Sequence, residues 1–286
     1  MSESSITGFA PTRPSSLTRG AAWPTVGLFA SLWIGISLSA WAALSGVIPF
    51  WVACLINAVF LYVTAHTNHE AIHRNISAGA PKLRWLNEAI GHFGSFWFFL
   101  PFLAFKAVHL AHHRAPNNPD EDGDMWVARK NPFVVFICCA SILVGYERQI
   151  WRLARTGGLS RRAVISIYGQ RLLAIAIVAT AFSMGYGYEI MMLWVIPGLL
   201  TVPFLAYFFA YVVHHPHTET EAYQASNVLL TTPRLQPLMT AIFVFQNYHL
   251  VHHLNPRIPF YEYGKVFRQM RSELEGKEAA IRGIKQ

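Results

Sequence analysis

Residues 24–44 and 47–65 are apolar runs parted only by Ser45-Gly46, and 190–213 is a third of ample length. A bilayer crossing needs roughly 20 mostly apolar residues, and its backbone polar groups must be satisfied within the segment, so such runs fold as membrane-spanning helices. Residues 172–188 form a fourth run near the lower limit. The stretches 93–105 and 132–146 are apolar but shorter, which suits interfacial or re-entrant helices. The expected fold is all-α and integral to the membrane: about four transmembrane helices, interfacial helices, and a cytoplasmic cap carrying a metal site. A hydrophobic content of 53% against 13% charged residues argues against an ordinary soluble domain.

A net charge of +8 would suit a nucleic-acid partner if it were spread along the chain, but it is not. All 23 Lys and Arg lie in three segments: 2 in residues 1–20, 13 in 74–171 and 8 in 234–285. The turns at 45–48 and 184–189, between paired runs, contain none. Four crossings of an inner or plasma membrane, with both termini and the central loop cytoplasmic, satisfy the positive-inside bias; nucleic acid is not expected. Arg148, Arg152, Arg155, Arg161 and Arg162 then read as topology signals that touch anionic lipid. Cys54, Cys138 and Cys139 sit in apolar stretches as small hydrophobes, with no disulfide framework. Residues 1–20 read as a flexible Ser/Thr/Pro-rich tail and 21–286 as one membrane domain.

The polar residues that remain are dominated by three histidine clusters: His69-Glu-Ala-Ile-His73, His109-Leu-Ala-His112-His113 and His249-Leu-Val-His252-His253. Residues three and four apart share a helix face, so each cluster is expected to converge as a unit. Eight imidazoles exceed one ion's needs, and a pair of ions is the economical reading. His214 is the first choice for a ninth ligand and His215 the second, because both follow the last long span. His66, His92 and His217 receive no assigned role. Metal-bound imidazoles need an acceptor for their second N–H. Asp120, Asp122 and Asp124 are the candidates, with the choice among them open. Asn247 is expected to hold a metal-linked water or to cap a helix. The first cluster also fits the HExxH zinc-protease signature with Glu70 as general base, but that reading leaves both HxxHH clusters unexplained.

Imidazole alone does not choose among zinc, copper, iron and nickel. A site beside lipid implies a lipid-soluble substrate, and breaking its unactivated C–H bonds calls for O2 and a redox metal, which favours iron. The HxxxH, HxxHH and HxxHH boxes resemble those of the integral-membrane fatty acid desaturase and hydroxylase superfamily. Within it, Leu86 to Gly94, Val108 to Asp122, Tyr211 to Pro216 and Gln246 to Tyr263 most resemble desaturase-like β-carotene ring hydroxylases. The resemblance implies two irons held by His69, His73, His109, His112, His113, His214, His249, His252 and His253; Asp120, Asp122 and Asn247 are expected, from their own positions in the chain, to work beside the metals. It also implies O2-dependent hydroxylation at C3 of a β-ionone ring, taking β-carotene through β-cryptoxanthin to zeaxanthin, with electrons from a ferredoxin-type donor. Acyl-lipid or fatty-acid desaturation is the alternative reaction, and an intramembrane zinc protease a distant one.

Overall fold

The computed structural model describes residues 20–283, so the tail expected over 1–20 lies almost wholly outside the described residues. Among the described residues, four helices are long and apolar enough to cross a membrane. They are α1 (Trp23–Leu44), α2 (Phe50–Ile72), α7 (Arg161–Ser183) and a span over Gly187–Val212. That last span joins α8 (Gly187–Ile190) and α9 (Ile196–Ala206) through π-helical turns at Met191–Val195 and Tyr207–Val212. A π turn frees a backbone carbonyl, and Asn57 in α2 meets one by donating its amide to Leu193 O at 3.1 Å. Thr201 donates to Ala58 O at 3.0 Å, so α2 and the Gly187–Val212 span are tied at two levels.

The all-α membrane fold is borne out, but two span limits shift. α2 continues past residue 65 to Ile72, through polar Thr-Asn-His-Glu, because the cap and neighbouring helices bury every residue from Thr64 to His73. α7 starts at Arg161 rather than near 172. Ser160 accepts from the Ala163 N–H at 3.2 Å as N-cap, and Arg171 pairs with Glu147 at 2.5 Å, so charge interrupts the apolar run without interrupting the helix. Large apolar residues such as Ile34, Leu38, Leu172 and Ile175 remain exposed on α1 and α7, as lipid-facing surfaces require.

The short apolar stretches are each divided between two helices. Residues 93–105 are split between α3 (Trp85–Phe96) and α4 (Phe102–Arg114), since Pro101 starts the second helix. Residues 132–146 are split between α5 (Pro132–Ala140) and α6 (Ile142–Arg155), bent by 63°.

The cap is built from α10 (Gln236–Ile242), α11 (His249–Leu254) and α12 (Tyr263–Gly276). It is closed by a two-stranded parallel sheet, β1 (Val228–Leu230) with β2 (Ile281–Gly283), in which Val228 faces Ile281. Leu250, Val251, Tyr263, Val266 and Phe267 pack into one core with Val228. That core presses α11 down onto the end of α2, which is how residues near 70 and near 250 come together.

Candidate metal centre

Four chain segments deliver histidines to one buried place: the last turns of α2, the end of α4, the residues just after the Gly187–Val212 span, and α11. Their ring nitrogens fall into two groups, each with atoms within 4.8 Å of one another. The first holds His69, His73, His109, His113 and His252; the second holds His112, His214, His249 and His253.

This grouping corrects the expectation that each box converges as a unit. Residues four apart stay together: His69 with His73, His109 with His113, and His249 with His253. The remaining histidine of each HxxHH box crosses over, His112 into the second group and His252 into the first. A helix turns about 100° per residue, so His112 points about 100° away from His113 while His109 lies only about 40° from it. Two groups side by side therefore need both HxxHH helices.

The described histidines fit ions. With imidazole–metal bonds of about 2.1 Å, the zinc value, neighbouring ligand nitrogens at right angles stand about 3.0 Å apart and opposite ones about 4.2 Å. In the first group Nε2 atoms are 3.0 Å apart for His69 and His252, 2.8 Å for His73 and His109, and 2.8 Å for His113 and His252. In the second they are 3.2 Å for His112 and His253, 3.0 Å for His214 and His249, and 3.1 Å for His249 and His253. Every one of these close pairs lies within a single group.

With Nε2 turned inward, Nδ1 carries the proton and needs an acceptor. His112 Nδ1 donates to Asp122 Oδ2 at 2.9 Å. Asp122 is held by the backbone N–H groups of Asn117 and Asp124, each at 2.8 Å. Asp124 Oδ2 stands 3.5 Å from the same Nδ1, and Asp124 accepts from the Tyr146 hydroxyl at 2.7 Å. His214 Nδ1 donates to Ala225 O at 2.8 Å, His249 Nδ1 to Gln246 Oε1 at 2.6 Å, and His252 Nδ1 to the Tyr263 hydroxyl oxygen at 2.9 Å.

Gln246 and Tyr263 are anchors that sequence reasoning missed. Gln246 could have been found, since it lies three residues before His249. Tyr263 could not, because only the cap fold brings α12 onto α11.

Asp120 is a correction. Its carboxylate is exposed, and its backbone N–H bonds Asn118 Oδ1 at 2.9 Å, because the loop that buries Asp122 and Asp124 leaves Asp120 outside it. Asn247 caps no helix among the described residues, which corrects one of its two expected roles, while its buried Oδ1 is without a partner there. Its amide donates to Leu229 O at 3.3 Å and secures the cap strand. His215 is exposed and stands in neither group, while His66 is buried against Phe209 with ring centroids 4.4 Å apart. His92 lies half-exposed, 3.8 Å from Glu88. Glu70 also belongs to neither group and accepts from the Asn75 amide at 3.2 Å, which leaves the protease reading without a base at the ligands.

Burial dominates the electrostatics. Loss of water pushes the His109, His113, His214, His249, His252 and His253 imidazoles well below their ordinary range, with neighbouring imidazoles a further cause. Neutral imidazole is the metal-binding form. His112 differs: burial also pushes it down, but the Asp122 and Asp124 carboxylates outweigh that and hold it up at about 9. Asp122 is correspondingly lowered; burial alone would raise it, and His112 prevails.

A cavity of about 110 Å³ opens beside the histidines, walled by Phe98, Phe105, Leu143, Leu205 and Phe209, and it reaches His69, His109 and His249. It therefore touches both groups. The family model described as "Fatty acid desaturase" matches residues 45–285. The chain belongs to the fatty acid desaturase family. Membership accords with the apolar spans and with the two histidine groups that could each hold a metal ion. Among curated proteins it is similar to dihydrorhizobitoxine desaturase of Bradyrhizobium elkanii, with 27% identity over 216 residues covering 68% of this chain. The match spans 59% of that relative's length.

Proposed function

We propose that this desaturase-family protein uses two non-haem irons and O2 to oxidise an unactivated C–H bond of a lipid-soluble substrate. His69, His73, His109, His113 and His252 would hold one iron, and His112, His214, His249 and His253 the other. Bound iron supplies the redox chemistry with O2 that the side chains of the protein cannot perform. The chain's own contribution is positional. Asp122, Ala225 O, Gln246 and Tyr263 fix four imidazoles in the tautomer that presents Nε2, and burial disfavours the protonated form of His109, His113 and His253. Phe98, Phe105, Leu143 and Phe209 exclude water and hold an apolar substrate against His69, His109 and His249.

The observation that carries this reading is the cavity that meets both histidine groups at one end. The resemblance of the boxes favours hydroxylation at C3 of the β-ionone ring of β-carotene, giving zeaxanthin. The name of the curated relative favours a second reading, removal of two hydrogens to leave a double bond. On either reading the histidines face the cytoplasm, where a ferredoxin-type donor would deliver electrons.

Two measurements test the proposal. Metal analysis of purified protein should give about two irons per chain; one zinc would overturn it. Extracts of a carotene-producing host should contain hydroxylated rings, whereas new double bonds without added oxygen would select desaturation.

A further inference from the structure

The cavity wall between α2 and α3 is chemically unlike the rest. Asn68, 1% exposed, has no hydrogen-bond partner for either Nδ2 or Oδ1, and Ser95, also 1% exposed, has none for Oγ. Both residues line the cavity that reaches the histidines. His69 Nδ1, on a third lining residue, is equally without a partner. His66 Nδ1, on a fourth lining residue, also lacks a partner, whereas Tyr146 donates to Asp124 and Gln246 accepts from His249.

The placement of Asn68 depends on the residue opposite. A Cβ at Gly94 would stand 2.0 Å from Asn68 Oδ1, so only glycine lets the amide lie against α3 beside Ser95. Buried polar groups are normally paired, and those that are not call for a ligand or water. Among the described residues, no Asp, Glu, Lys or Arg lines the cavity. A formal charge would enter it without a counter-charge, at a large desolvation cost.

We propose that Asn68 and Ser95 form a subsite for a neutral hydrogen-bonding group of the substrate, a hydroxyl or carboxamide lying a few bonds from the carbon that is oxidised. This rests on the reading of the cavity as the place where substrate meets the metals, and within that reading it replaces β-carotene with a lipid that already carries a neutral polar group. A hydrocarbon such as β-carotene leaves both side chains unpaired, whereas a lipid that already carries oxygen or an amide does not. Asn68 and Ser95 are specificity residues here, not ligands.

The test uses the iron-loaded full chain in nanodiscs and matched twelve-carbon probes: dodecane, 1-dodecanol, dodecanamide, dodecanoate and dodecylammonium. Affinity is read from thermal stabilisation and tryptophan fluorescence, without turnover. The alcohol and amide should bind roughly tenfold or more tightly than the alkane, the scale of one or two buried hydrogen bonds. The double variant Asn68→Leu/Ser95→Ala should lose that preference while keeping its iron and an equal or higher melting temperature, since two unpaired buried groups have gone. Ser95→Ala alone, which removes one hydroxyl, should reduce the preference in part.

Equal binding of alkane and alcohol by the natural protein would overturn the subsite. So would a Ser95→Ala protein with undiminished preference, or tightest binding of an ionised probe. Iron content and O2 consumption are measured separately, so a probe preference without iron would sink the oxidase reading and leave the subsite standing.

Discussion

His112 Nε2 stands 3.2 Å from His253 Nε2, in the group opposite its own box-mates His109 and His113. His252 makes the reverse crossing, at 2.8 Å from His113. The two HxxHH helices are thereby interlocked, each supplying one group with a pair and the other with a single histidine.

His112→Ala should abolish turnover and remove about one of two irons, emptying the group of His214, His249 and His253. His69→Ala should do the same to the other group. Metal analysis with an activity assay checks both. Full turnover by either variant would take that residue out of the ligand set. His66→Ala, outside both groups, should keep its iron and substantial activity.

Asp122→Asn should lower iron affinity or activity about 10- to 100-fold, the usual effect of losing a carboxylate behind a metal-bound imidazole. Asp120→Asn, at an exposed carboxylate, should leave both unchanged. Iron-retention curves for the two variants decide between them; equal losses would contradict the geometry.

The same pair predicts a pH signature in metal-stripped protein. His112 is raised from 6.5 to about 9, so the native state binds its proton more tightly than the unfolded state does. That contribution is complete below pH 6.5 and is lost as pH rises through about 9. Melting temperature should therefore fall across this window in natural apoprotein and fall less in apo Asp122→Asn. A flat profile in natural apoprotein would remove the charged pair from the account.

Tyr263→Phe removes the acceptor of His252 Nδ1 but keeps the ring that packs in the cap. Activity should drop by about tenfold or more with little loss of stability. A large fall in melting temperature with unaltered activity in the folded fraction would assign Tyr263 a packing role only.

Gly198→Ala places a Cβ 2.6 Å from the carbonyl oxygen of Trp97, which also accepts from Trp194 Nε1 at 3.2 Å. Because the obstacle is backbone, α9 must shift, at about 1–3 kcal/mol. Thermal unfolding in detergent measures this, and an unchanged midpoint would show that the span yields freely.

Much of this architecture was readable along the chain. Four apolar runs required helices that cross the bilayer, because hydrocarbon leaves a backbone no other way to satisfy itself. Clustered histidines at helical spacing announced metal chemistry, since so many buried imidazoles have little other use. Spacing places side chains only around their own helix, however, and cannot say which neighbour faces which side. The exchange of His112 and His252, the burial of Asp122 but not Asp120, and the arrival of Tyr263 beneath His252 all depend on how α4, α11 and α12 approach one another. The packed cap core around Leu250 and Val266 sets how α11 and α12 meet, and a separate core of Ala104 and Val108 with Leu61 and Ile150 holds α4, both matters of contacts between residues far apart in the chain. The pairless amide of Asn68 belongs to the same class: its place directly before His69 is visible in the chain, but only the glycine facing it from α3 shows what space it has been given.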